Sequence, residues 1–169
     1  VVEITDQDNV DIADIATKSS VPVVSSSDFV SKTVVQCSRY LGYSAVYAEL
    51  FSFGNNNIVL HSVKGYENKY FGEVAKVFKN SILLGVSWVE EKNGMERRTA
   101  VLNPEPDYEL FDDEELIILT SQEGPEISEF PPTEIEPLMD VAPYERPIFN
   151  RVLILGWNAS IVDILREFE

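Results

Sequence analysis

Apolar and polar positions change period several times along the chain, and each change marks an element. Val1 to Thr5 reads as a short strand, and Asp6-Gln7-Asp8-Asn9 supplies turn and capping groups for a helix carrying Val10, Ile12, Ala13, Ile15 and Ala16. Val21 to Val24 is a second short apolar strand, and Ser25-Ser26-Ser27-Asp28 then caps another helix. Strand, helix, strand, helix is the order of a parallel α/β unit. The second helix, running to about Tyr40, has Val30, Val34, Cys37 and Leu41 three or four apart, one apolar stripe. Gly42 breaks it, because glycine takes the left-handed conformation of a helix end without a Cβ penalty. Another short helix, about Ser44 to Phe53, carries Val46, Leu50 and Phe51, and Gly54-Asn55-Asn56-Asn57 has the composition of a loop.

From there the pattern turns to strands. Ile58 to Val63 reads as one, and Phe71, Val74, Ala75 and Phe78 mark a short amphipathic helix. Ser81 to Glu90 alternates, which predicts Ile82, Leu84, Val86 and Trp88 on one face. Asn93-Gly94 predicts a type I′ hairpin turn, whose two central residues need positive φ, and Arg97 to Leu102 is the return strand. Leu116-Ile117-Ile118-Leu119 is apolar on both faces, as a central strand is. These segments together predict a small α+β lobe with an antiparallel sheet.

Composition then shifts. Residues 99 to 145 hold 14 acids and no Lys or Arg, and eight of the nine prolines lie between Pro104 and Pro147. Gln122 to Arg146 therefore reads as a stiff, extended acidic linker. After it, Arg151-Val152-Leu153-Ile154-Leu155-Gly156 predicts a strand entering a glycine turn, followed by a helix with Ile161, Ile164 and Leu165. The fold class is thus α/β plus α+β. Residues 1–42 read as the end of a parallel α/β unit, 43–121 as the α+β lobe, 122–146 as the linker, and 147–169 as a fresh strand-helix start. Val1-Val2-Glu3-Ile4 opens in mid-strand and the chain stops in mid-helix, which predicts a piece of something larger.

Charge narrows the function. With 29 acids against 13 Lys and Arg, the chain carries a formal charge of -16. That field repels phosphate backbones and anionic lipid, so nucleic-acid binding is not expected. No apolar run approaches the ~20 residues of a membrane-spanning helix. A single cysteine, Cys37, makes no internal disulfide, and the absence of a signal-like start suits a reducing compartment. Asn158 and Ile161 stand where a dinucleotide-binding turn has its second and third glycines. Cys37 lies on an apolar stripe and reads as a packing residue, and His61, the only histidine, has no evident partner. With no Ser-His-acid or zinc-ligand spacing, no enzyme is expected. The acids Asp107, Glu109, Asp112, Asp113, Glu114 and Glu115 crowd the approach to the last strand of the lobe. Hard cations such as calcium take six to eight oxygens, so Asp112 and Asp113 are candidate ligands, although the segment lacks the glycine of an EF-hand loop.

Taken in order, these segments resemble regulator-of-potassium-conductance (RCK) domains, most closely those of the CASTOR/POLLUX class of ion channels. Val1-Val2-Glu3 with Asn9 is similar to the late Rossmann strand and helix, and Phe29 to Phe53, including Gln36-Cys37-Ser38-Arg39 and Gly42, to the crossover helix, turn and following helix. Phe71-Gly72-Glu73-Val74, Phe78, Ile82, Gly85, Leu102-Asn103-Pro104 and Tyr108 resemble the C-terminal lobe, with Asp113 to Ile118 its closing turn and strand. Arg151 to Trp157 resembles the start of a second RCK unit. The resemblance makes residues 1–42 the end of one Rossmann-like lobe with its crossover helix and 147–169 the start of a second Rossmann-like unit. The resemblance implies a cytoplasmic regulatory domain that joins a ring below a membrane pore and couples ligand binding to gating, with calcium as a candidate ligand. Glu3 occupies the first of two acid positions of a known calcium site, and Thr5 stands at the second. It also implies a two-fold homodimer through the helix-turn-helix, with Val30, Val34, Cys37, Leu41, Val46 and Leu50 at the contact. A soluble regulatory subunit of a potassium-uptake system has a similar fold. A nicotinamide-dependent dehydrogenase fragment would need the glycine-rich turn that is absent.

Overall fold

The chain opens with apolar residues too few to make a sheet alone, and they pair with the next apolar run. In a computed structural model describing residues 1–5, 9–17, 21–52, 54, 56–92, 95–121, 123–127, 151–158 and 160–168, β1 (Val2–Ile4) and β2 (Val23–Ser25) run parallel. Between them α1 (Val10–Thr17) forms the crossover. Ser25 is extended at φ -84°, and its hydroxyl accepts from the Asp28 N–H at 3.4 Å, which starts α2 (Ser26–Arg39). Asp28 in the first turn and Arg39 in the last complement the helix dipole. Beyond α2, Gly42 sits at φ 95° and allows the turn into α3 (Tyr43–Leu50). The described residues form two units: Val1–Ala45 with the C-terminal residues, and a second that starts at Val46.

In the first unit, α2 turns Ser31 and Val35 inward, and both are buried. The short helix α5 (Ile161–Arg166) packs on α2, with Ile161 buried, and the Arg39 guanidinium donates to the Glu167 carbonyl at 3.4 Å. Residues 151–155, expected to be a strand, are not one. A strand exists through its ladder partner, and the sheet of the first unit holds β1 and β2, leaving Leu153 and Leu155 exposed. Gly156, at φ 115°, makes the expected turn before α5.

The second unit is a four-stranded antiparallel sheet ordered β3-β6-β4-β5, from β3 (Asn56–Ser62), β4 (Ile82–Lys92), β5 (Met95–Leu102) and β6 (Glu115–Ser121). As its pattern predicted, β6 is interior, pairing with both β3 and β4. Lys92 pairs directly with Met95, so β4 and β5 are joined by the two residues Asn93 and Gly94, which lie outside the described residues. The single turn α4 (Phe71–Val74), shorter than the apolar spacing suggested, lays Phe71 and Val74 on one face of the sheet. With Val63, Phe78, Leu83, Val86, Leu110, Leu116 and Ile118 they form the core.

The predicted alternation in β4 breaks at one point. Leu83 pairs with Ile118 but Gly85 pairs with Ile117, so Leu84 is the extra residue of a β-bulge. One inserted residue reverses the parity of a strand. Ile82 therefore faces away from the core and is exposed, while Leu83 enters it, and only beyond the bulge do Val86 and Trp88 point as expected. Gly85 is required here: a Cβ would run into the Val101 carbonyl and lie 2.8 Å from the Leu102 Cα. Beyond β6, Glu126 bonds back through Lys79 N–H to its carbonyl at 3.0 Å and through its own N–H to Asn80 Oδ1 at 2.7 Å. Of the predicted acidic linker, residues 122 and 128–146 lie outside the described residues.

Candidate functional site

On α2 the sequence offers two stripes one residue apart, and the fold chooses between them. Val35, with Ser31 a turn before it, goes inside at 2% exposure; Val30 and Val34 stay outside at 49% and 44%. Leu41 at the Gly42 turn is fully exposed, and Cys37 is half-buried. On α3 no residue is buried: Val46 is exposed and Leu50 half-buried. The stripe named from spacing is thus the outward one. The inward face, built on serines, gave no apolar signal, and Val35 was missed because its partners along the helix are small and polar.

The acids separate into different roles. Glu3 is exposed on β1 opposite Val24, with Thr5 also exposed. Asp112 and Asp113 form an exposed turn closed by the Glu114 N–H donating to the Phe111 carbonyl at 3.3 Å. Glu114 itself is buried. Its carboxylate accepts from the Tyr108 hydroxyl and from the Phe111 N–H, the latter at 3.0 Å. Burial first, then the hydrogen bond and negative charge of Glu114, push the Tyr108 hydroxyl up to about 12. Glu114 therefore organises the turn rather than lying in solvent with its neighbours. Among the described residues no three His, Cys, Asp or Glu side chains gather closely enough to hold a metal ion. His61, on β3, pairs with Leu116 of β6.

The family model described as "Castor and Pollux, part of voltage-gated ion channel" matches residues 27–135, from the first turn of α2 through β6 and beyond. The chain belongs to the Castor and Pollux family. It is 21% identical over 169 residues to the probable ion channel POLLUX of Oryza sativa subsp. japonica, covering all of this chain and 17% of that protein. Over 173 residues it is 21% identical to the probable ion channel POLLUX of Arabidopsis thaliana, covering 20% of it, and over 174 residues 21% identical to the ion channel DMI1 of Medicago truncatula, covering 19%. The chain thus spans about a fifth of the length of these Castor and Pollux relatives. Among its described residues no helix is long and apolar enough to cross a membrane.

Proposed function

We propose that this chain is a regulatory region of a cation channel, placed on the cytoplasmic side and assembled with copies of itself into a gating ring. The observation that carries the reading is the family match across α2, α3 and the antiparallel lobe, joined to the outward apolar face of α2. Its work is mechanical: ligand-dependent movement of packed lobes changes the force on an attached pore, coupling two distinct sites. Val30, Val34 and Leu41 on α2 and its turn, with Val46 on α3, supply the contact between copies. Fully burying a valine or leucine contributes about 1.5–3 kcal/mol, so a few such residues carry an association that acidic repulsion opposes. Potassium is the ion proposed by family resemblance. Asp112 and Asp113 supply too few oxygens for calcium by themselves, so any calcium they ligate takes further oxygens from neighbouring acids, backbone carbonyls or water.

The test is association of this chain measured by light scattering in raised salt, which screens the repulsion between acidic copies. Val34→Asp lowers the mass while circular dichroism stays native. A Val34→Asp protein that unfolds, or that keeps the wild-type mass, counts against the helix contact.

A further inference from the structure

The chain leaves β6 through a reversal and doubles back along the segment that leads into β4. Gly124, at φ 86°, makes the reversal, its N–H donating to the Ser121 carbonyl at 3.0 Å. The chain then runs antiparallel to the segment from Phe78 to Asn80: Ile127 bridges Phe78, and the Lys79 N–H donates to the Glu126 carbonyl at 3.0 Å. Asn80 takes part with its side chain. Its Nδ2 donates to the Gly124 carbonyl at 3.4 Å, and its Oδ1 accepts from the Glu126 N–H at 2.7 Å. A side-chain amide offers a donor and an acceptor side by side, as a strand peptide does. It therefore grips residues 124 and 126, whose polar groups share one edge of an extended chain. Pro125, between them, has no N–H to leave unpaired on the other edge. The Asn80 amide is itself held, since the Ser81 hydroxyl lies 3.0 Å from Oδ1 and 2.8 Å from Oγ1 of the buried Thr120 on β6.

The remaining ties are weak. Ile127 is 45% exposed, and the Lys79–Glu126 ion pair, 3.6 Å apart with both side chains mostly exposed, contributes little. By contrast β6 is paired with a strand on each side. Segments with few buried apolar contacts open at a lower free energy than the core they are attached to. We propose that residues 123–127 are a latch that opens and closes while the sheet stays folded, and that Asn80 is the residue that positions it. Closed, the latch seats Ile127 beside Phe78, itself part of the core. Open, it gives the chain after β6 five more residues of free length, about 17 Å when fully extended. On the regulatory reading above, that slack decides how much of a movement of the lobe is passed along the chain; the latch itself is independent of that reading.

Native-state hydrogen exchange followed by NMR tests this. The Lys79 and Glu126 amides are expected to exchange faster than those of Leu116 and Ile118 in β6, at rates that low urea leaves unchanged, the mark of a local opening. Asn80→Ala is expected to speed the Lys79 amide about tenfold, with the β6 rates and circular dichroism unchanged. The Lys79 amide is the informative one, because this substitution leaves its own acceptor, the Glu126 carbonyl, in place. Gly124→Ala has the same expected effect without touching either partner: the added Cβ meets nothing within 4 Å, but the positive φ strains the reversal. A Lys79 amide unmoved by either substitution overturns the proposal, and so does one that exchanges only together with β6, at its rate. The same rates are readable in Val34→Asp, so failure of the helix contact and failure of the latch are told apart.

Discussion

Glu114 shows how one side chain among six neighbouring acids takes a distinct role. It is the buried one, and it satisfies two donors, Tyr108 O–H and Phe111 N–H. Glu114→Ala leaves both half-buried donors without their acceptor and is expected to cost about 1 kcal/mol, read as a lower urea midpoint. In the Glu114→Ala background, Tyr108→Phe adds little, since the hydroxyl has already lost its partner. The Tyr108 hydroxyl also sets a pH dependence. Its ordinary value is about 10 and its folded value about 12, so the folded state holds this proton more tightly. The stability linked to it is intact below about pH 10 and is lost as pH rises toward about 12. Chemical denaturation across that window should fall less steeply for Tyr108→Phe than for the parent. Gly85 is the other residue with a fixed duty. Gly85→Ala sets a methyl against the Val101 carbonyl and Leu102 Cα, backbone that cannot step aside. A loss of about 1–3 kcal/mol is expected from such overpacking, measured by the same denaturation.

At the level of elements, legibility follows how much each one depends on its own residues. The interior place of β6 was readable because Leu116 to Leu119 must bury both faces. The hairpin was readable from the Asn93-Gly94 pair between two strand patterns: β4 and β5 pair from Lys92↔Met95 onward, while the turn itself lies outside the described residues. The bulge at Leu84 was not, since leucine there fits an unbroken alternation and only the partner strand shows the extra residue. On α2, spacing found Val30 and Val34 but could not say whether the stripe was core or contact. That choice lies with the rest of the fold, which buries Ser31 and Val35 instead. Residues 151–155 carry a strand pattern without a strand, because a ladder partner is not written in the segment itself. The candidate acids were visible as a group, but the division between buried Glu114 and exposed Asp112 and Asp113 needed the turn.

For the whole molecule, two quantities oppose each other: -16 of charge per chain and apolar residues left outside on α2 and on the sheet. Repulsion between copies weakens as salt shortens the screening length to about 8 Å at physiological ionic strength and less above it. Apolar contact does not weaken with it, so association is expected to strengthen as sodium chloride is raised, the reverse of an assembly held by ion pairs. The claim most exposed to refutation is that the outward face of α2 joins copies of this chain. Light scattering on wild type and Val34→Asp at high salt tests it directly. The account predicts a wild type heavier than a monomer and a folded Val34→Asp protein of lower mass; a wild type that is monomeric at every concentration, or a substitution that leaves its mass unchanged, contradicts it.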